Sequence, residues 1–286
     1  MPARSSIAIF YIFLWASAYV PSKIASIGSP PLWFLVARFA AAGALLALLA
    51  LALRRPFPRS RRGWLVAMTL GIFANALYLG LTYSALAHHL SSGMGAIVAS
   101  MNPLVLALVA PRMLGETLGS RKALGLALGF GGVLLIVAFR AGTGTAAPLD
   151  VLLALGGVCA SVASTILFKR FAAGFDLLAL SAVQMLAASV ILVPAAWLFA
   201  GAPQVHVTAA LLASFAYLVL VLSVGATIVW FWLLAHGEAS RVSAYYYLTP
   251  AFGLLLSAIL LHERIAAHDL AGLVAIVAGI VLVQRG

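Results

Sequence analysis

The sequence predicts an all-α integral membrane protein: ten transmembrane helices, arranged as two inverted five-helix repeats around a central cavity. Three observations predict it. The 286 residues are 65% hydrophobic and 8% charged, with a mean hydropathy of +1.15, whereas a soluble domain carries roughly a quarter charged residues. The apolar runs are continuous over about 20 residues, the length at which a helix crosses the hydrocarbon core, and they do not alternate as barrel strands do. Finally, "SMNPLVLALVAPRMLGETLG" (Ser100–Gly119) is echoed by "YLTPAFGLLLSAILLHERIA" (Tyr247–Ala266), each with a Pro followed thirteen residues later by a Glu.

Punctuation by Pro, Gly and charge clusters places the spans near 6–25, 32–53, 63–86, 92–113, 121–140, 149–170, 177–199, 208–235, 240–261 and 267–284. Residues 6–25 read as a first span and not as a cleaved signal, because no A-x-A-like site follows. Ten spans put both termini on one side. That side would hold Arg4, Arg54, Arg55, Arg59, Arg61, Arg62, Arg112, Arg121, Lys122, Lys169, Arg170, Arg241 and Arg285, against Lys23, Arg140 and Arg264 opposite. The excess makes the terminal side cytoplasmic. The net charge of +11 is thus a topology signal, and no nucleic-acid partner is expected. Cys159, the single cysteine, offers neither a disulfide nor a zinc site.

An offset of 147 carries Pro103 onto Pro250, Glu116 onto Glu263, Gly125 onto Gly272 and Gly132 onto Gly279, and an offset of 146 carries Lys23 onto Lys169 and Arg38 onto Gln184. The halves are about 1–142 and 148–286. Five helices is an odd number, so the second copy is inverted, as in secondary transporters whose substrate site lies between repeats. The basic "SRK" (Ser120–Lys122) corresponds to "AHD" (Ala267–Asp269), which fits a copy facing the other way. Glu116 and Glu263 stand just past spans four and nine. Each is expected to accept hydrogen bonds from the first amides of the next helix, with proton or ligand binding the competing role. Pro103 and Pro250 are expected to bend their spans where these line a cavity.

These features resemble the drug/metabolite transporter superfamily in its EamA-like branch. The resemblance rests on "LWASAYVPSK" (Leu14–Lys23), on Arg38 and on the two Pro…Glu…Gly…Gly series, and it covers nearly the whole chain. The chain looks most like the YddG-type exporters of aromatic amino acids. The resemblance implies a bacterial inner-membrane carrier of small amphipathic metabolites that works by alternating access. The alternative it implies is a proton-coupled multidrug or nucleoside antiporter. The first span reads "WASAY" where many relatives have "WGSN", so no substrate contact carries over to Ala18 or Tyr19.

Asn75, Tyr78 and Thr82 form one stripe of span three. Asn102 and Thr249 each precede a repeated Pro, with Tyr245 and Tyr246 one turn before Thr249. With Trp15, Ser164 and Trp230 they are the expected cavity lining. Interhelical hydrogen bonding competes for the polar ones, and interfacial belts are expected for Trp64, Trp197 and Tyr217. Lys23 and Arg38 are cations inside spans, read either as an attraction site for a carboxylate or as snorkelling and helix-end groups. No Asp or Glu falls well inside a span, so facilitated diffusion is the simpler energetics. No convergent acid/base or metal set points to an enzyme, and no cofactor is expected. A non-transporting membrane subunit is the remaining class. The expected partners are a small solute and the bilayer, in a monomer or homodimer, with glycine-rich spans five and ten assigned to packing.

Overall fold

The computed structural model describes residues 2–88, 90, 98–140, 147–252 and 266–286. The described residues are helical, without strands. Helices α1 (Pro2–Ser17) and α2 (Tyr19–Gly28) share one apolar stretch interrupted at Ala18. Pro21 lacks the N–H that would reach the Ser17 carbonyl, and its ring crowds that position. Helix α3 (Pro31–Ala52) starts with Pro in its first turn, where the missing N–H matters least. The Ser60 side chain accepts from Gly63 N at 3.0 Å and so caps α4 (Arg61–Gly71). A π-helical stretch, Ile72–Leu77, joins α4 to α5 (Tyr78–His88). Then come α6 (Asn102–Leu114), α7 (Ser120–Arg140) and α8 (Pro148–Leu167), the last running into a second π stretch, Phe168–Ala172.

Asp176 accepts from Leu178 N and Ala179 N at the start of α9 (Leu177–Ala200). Helix α10 (Ala209–Tyr217), capped by Thr208, passes through a third π stretch, Leu218–Ala226, into α11 (Thr227–His236). The short α12 (Ala239–Ala244) tightens into a 3₁₀ turn, Tyr245–Tyr247, before helix resumes over 248–252. The chain ends in α13 (Ala267–Arg285).

Seven of these stretches are long and apolar enough to cross a membrane among the described residues, and Ser5–Ser17 and Asn102–Leu114 are shorter apolar helices. Each repeated proline stands just after a departure from α geometry inside its helical stretch. Ser100 and Met101 form a turn and Pro103 occupies the first turn of α6, while Pro250 follows the 3₁₀ turn. Each ring would collide with the carbonyl four residues back in a continuous α-helix, so the chain departs from α geometry ahead of it.

The distribution of side chains suits hydrocarbon as solvent. Leu198 and Phe199 are 77% and 78% exposed, whereas Arg38, Gln184, Ser181 and Ser243 are buried. Without a hydrophobic drive between helices, association rests on close packing and interhelical hydrogen bonds. Both are visible. Helix α3 lies against α9, where Ser189 Oγ donates to Val36 O at 2.9 Å. Helices α7 and α13 approach closely at four glycines, with Ile136 and Ile276 packed beside them. A Cβ on Gly279 would lie 2.6 Å from Gly125 O, and one on Gly125 would lie 2.6 Å from Gly279 O. Gly132 and Gly272 stand in the same mutual relation, at 2.6 and 2.8 Å. The four glycines marked by the repeat are therefore each other's partners, and spans five and ten pack together within one chain.

This seam predicts that Gly279→Ala destabilises by about 1–3 kcal/mol, the usual penalty of forcing a methyl into a packed contact. Gly131 meets nothing within 4 Å, so Gly131→Ala should be neutral or slightly stabilising through helix propensity. Thermal unfolding in detergent compares them, and equal midpoints would show that the seam does not hold α7 to α13.

Candidate functional site

Helix α1 presents Tyr11 and Trp15, four residues apart and hence on one face. Tyr78 opens α5 immediately after a π stretch, Trp230 lies in the first turn of α11, and Tyr246 is the centre of the 3₁₀ turn. These five rings converge. Tyr11 stacks on Trp230 with centroids 5.3 Å apart, and Trp15 lies nearly parallel to Tyr78 at 6.3 Å and 10°. Tyr246 meets Trp230 at 5.1 Å and turns its edge to Trp15 and Tyr11. The hydroxyls of Tyr11 and Tyr246 are hydrogen-bonded at 2.9 Å.

The rings border a narrow cavity of about 50 Å³. That volume holds a few waters and is too small for an amino acid without movement. Its remaining walls include Arg38, Asn75, Ser161, Ser164, Ser223 and Thr227, with Phe39, Met185 and Phe231 among the apolar ones. Asn75 and Ser223 both belong to π stretches. Such wide turns displace side chains from the ordinary helical stripe and recur at functional sites.

Of the residues singled out from sequence, Trp15, Arg38, Asn75, Tyr78, Ser164, Trp230 and Tyr246 share this cavity. Four others are placed elsewhere. Thr82, one turn beyond Tyr78 on α5, is not among the cavity walls; it donates to Tyr78 O at 2.7 Å and packs on Gly157. Asn102 Nδ2 donates to Ser161 Oγ at 2.9 Å, which makes it an interhelical strut. Tyr245 donates to Ser5 Oγ at 2.8 Å near the terminal end of the bundle. Thr249 Oγ1 is buried without a partner among the described residues. Trp64 and Trp197 are exposed as a belt requires, whereas the Tyr217 hydroxyl bonds the Ser17 hydroxyl. The Lys23 side chain and Glu263 lie outside the described residues.

Tyr11, Ser161, Ser223 and Thr227 are cavity residues that sequence reasoning missed. The Tyr11–Trp15 spacing was a usable signal. Ser223 had none, because its position depends on the π stretch.

A second polar cluster closes the end of the bundle that carries both termini. Glu116 does not cap α7, the next helix, as expected. Its Oε1 accepts from Ala239 N at 2.6 Å and its Oε2 from Ser240 N at 3.1 Å and from the Ser240 hydroxyl. The cap belongs to α12, in the other half of the chain. Two unsatisfied amides at a helix start attract the carboxylate, and the left-handed turn at Gly115 ends α6 just ahead of it. Beside it, the buried Lys122 ammonium donates to Glu238 at 2.7 Å and to Thr117 O at 3.1 Å. Arg241 pairs with the same carboxylate at 3.1 Å. Lys169 Nζ donates to Leu234 O and Gly237 O, satisfying the carboxyl end of α11. Burial pushes the Glu238 carboxyl up, but Lys122, with Arg241 and Lys169, outweighs burial and holds it below its ordinary value of 4.5.

The sequence model of the EamA-like transporter family matches residues 5–138 and again 149–285. Among curated proteins, the chain is 31% identical to "Uncharacterized transporter YvbV" of Bacillus subtilis, over 96% of this chain and 89% of that one. It is 26% identical to "Protein PecM" of Dickeya dadantii, over 76% of this chain and 71% of that one. A crystal structure with 21% identity superposes with a TM-score of 0.81 over 100% of this chain and 97% of that chain, which shows the fold.

Two predictions follow from the terminal cluster. Glu116→Ala should lower stability by about 0.5–2 kcal/mol, the worth of a helix cap, and reduce folded yield. Glu116→Asp, too short to reach both amides, should recover only part of it. The Glu238 carboxyl is depressed, so its contribution is present above about pH 4.5 and lost as pH falls through the lower folded-state value. Wild type should therefore lose more thermal stability than Glu238→Gln between about pH 6 and about pH 3.5. Parallel losses would mean that the ion pairs contribute nothing to stability.

Proposed function

We propose, for a chain that belongs to the EamA-like transporter family, that it exports small amphipathic metabolites, aromatic amino acids or related compounds, across a bacterial inner membrane by alternating access. The observation that carries this is the five-ring cage. Tyr11, Trp15 and Tyr78 come from the first half and Trp230 and Tyr246 from the second, and they enclose one cavity together with hydroxyl and amide groups. A flat solute would stack on the rings while its polar end meets those groups.

Two inverted five-helix halves, about 1–142 and 148–286, are part of the proposal. Three features support them. The family model matches twice. The glycine contacts are reciprocal, Gly125 with Gly279 and Gly132 with Gly272, which is the pattern a two-fold relation produces. The π stretch Ile72–Leu77, moved by the repeat offset of 147, falls within Leu218–Ala226. Rocking of one half on the other would part the Tyr11–Tyr246 bond and open the cavity. The excess of Lys and Arg at the terminal end supports termini in the cytoplasm. The cluster around Glu116 and Glu238 would then be the cytoplasmic latch.

No carboxylate lines the cavity among the described residues, which favours facilitated diffusion over proton coupling. Reconstituted protein should show counterflow of aromatic amino acids that a protonophore leaves unchanged. Strict dependence on a proton gradient would instead favour a proton-coupled antiporter. Ala at Trp15, Tyr78 or Tyr246 should weaken apparent affinity about two- to tenfold, since one stacking contact is worth roughly 0.5–1.5 kcal/mol. Wild-type affinity in all three folded variants would remove the cage from the transport path.

A further inference from the structure

The cage leaves one strongly charged group unexplained. Arg38 is 4% exposed inside α3, yet it is one of the cavity walls. A guanidinium stays charged under all ordinary conditions, and removing it from water is costly unless an opposite charge offsets the loss. Its hydrogen-bonding neighbours among the described residues are neutral. Nε donates to Ser223 Oγ at 2.8 Å, and the Tyr83 hydroxyl is its other hydrogen-bonding neighbour. No carboxylate pairs with it among the described residues.

Asn75 lines the same cavity, is 7% exposed, and holds an Nδ2 that has no partner among the described residues. A buried donor left unmade is a standing deficit. One guanidinium, one open amide and one hydroxyl therefore face a common space with donors in excess of acceptors. Two of the three, Asn75 and Ser223, are delivered by π stretches, so local helix irregularity is concentrated on this corner. The complement of such a set is a planar anion with two oxygens, because a guanidinium fork matches a carboxylate edge.

We infer that Arg38, Asn75 and Ser223 form a carboxylate subsite at the edge of the aromatic cage, so that the transported solute bears a carboxylate next to a flat apolar body. This rests on, and deepens, the reading of the cavity as the transport site. Lys23 is not needed for it. Binding energy from one charge-assisted pair would also confer selectivity: a neutral solute of the same shape would leave the guanidinium uncompensated.

The test uses a matched pair of probes, 3-phenylpropionate and 3-phenylpropionamide, with purified full-length protein and the change in its tryptophan fluorescence, to which Trp15 and Trp230 in the cavity contribute, as readout. The acid should bind wild type at least tenfold more tightly than the amide. Arg38→Gln should bring the acid-to-amide ratio close to one, Arg38→Lys should keep part of it, and Asn75→Ala should lower it severalfold. If Arg38→Gln does not fold, the wild-type ratio and Asn75→Ala still decide. Equal binding of acid and amide to wild type overturns the subsite and leaves the cage intact. An undiminished ratio in Arg38→Gln and Asn75→Ala likewise makes Arg38 a strut between α3 and the Leu218–Ala226 stretch. Binding of neither probe overturns both the subsite and the cage.

Discussion

The close approach of α7 and α13 is the contact on which the rest of the arrangement depends. In hydrocarbon, apolar side chains gain nothing by leaving lipid for protein, so helices adhere through backbone proximity and hydrogen bonds. Glycine at four facing positions supplies that proximity, with Gly125, Gly132, Gly272 and Gly279 leaving no room even for a methyl group. Because this seam is made of glycine backbone and apolar side chains such as Ile136 and Ile276, it demands no polar side chains. Those are then available to the helices that border the cavity.

Irregular backbone gathers around the cavity. The break at Ala18, the π stretches Ile72–Leu77 and Leu218–Ala226, and the 3₁₀ turn Tyr245–Tyr247 all lie in the elements that carry cavity residues. Departures from α geometry are tolerable at membrane depth only where freed groups find protein or a polar cavity. Hydroxyls close several of these gaps. Ser17 Oγ donates to Leu14 O just before the Ala18 break, and Thr227 Oγ1 donates to Leu222 O at the end of the long π stretch. The same irregularity that a polar cavity makes affordable also aims Asn75, Ser223 and Tyr246 into it.

Much of this was legible in the sequence, for reasons that also explain what was not. Span positions follow from hydropathy, which is a local property. The glycines of spans five and ten announced close packing because the repeat marked them. Whether that packing was within or between chains was not written in them. Glu116 could be recognised as an anchor, but its partner lies at Ala239 and Ser240, and no local pattern reports a contact between halves. The stripe Asn75–Tyr78–Thr82 assumed 3.6 residues per turn. Thr82, a turn beyond Tyr78 on the same α-helix, gives its hydroxyl to Tyr78 O and packs on Gly157, while Ser223, which no stripe marked, reaches the cavity from a π stretch.

The magnitudes bear on the alternating-access cycle proposed above. The terminal cluster joins the halves through a carboxylate cap and the Lys122–Glu238 pair, and Glu238 is 41% exposed. Lys122 is itself buried, so its charged hydrogen bond to Glu238 is worth about 1.5–3 kcal/mol, and a helix cap about 0.5–2 kcal/mol. The whole of the proposed latch is therefore a matter of a few kcal/mol. Ring contacts in the cavity contribute roughly 0.5–1.5 kcal/mol each, and a flat solute reaching two or three of them gains a comparable sum. A ligand shifts a conformational equilibrium only by its differential affinity for the two states. A cavity of weak, additive aromatic contacts and a latch of similar strength thus suit reversible opening, because neither end dominates. A deep, rigid pocket or a fully buried ion-pair network at the latch would hold the chain in one state.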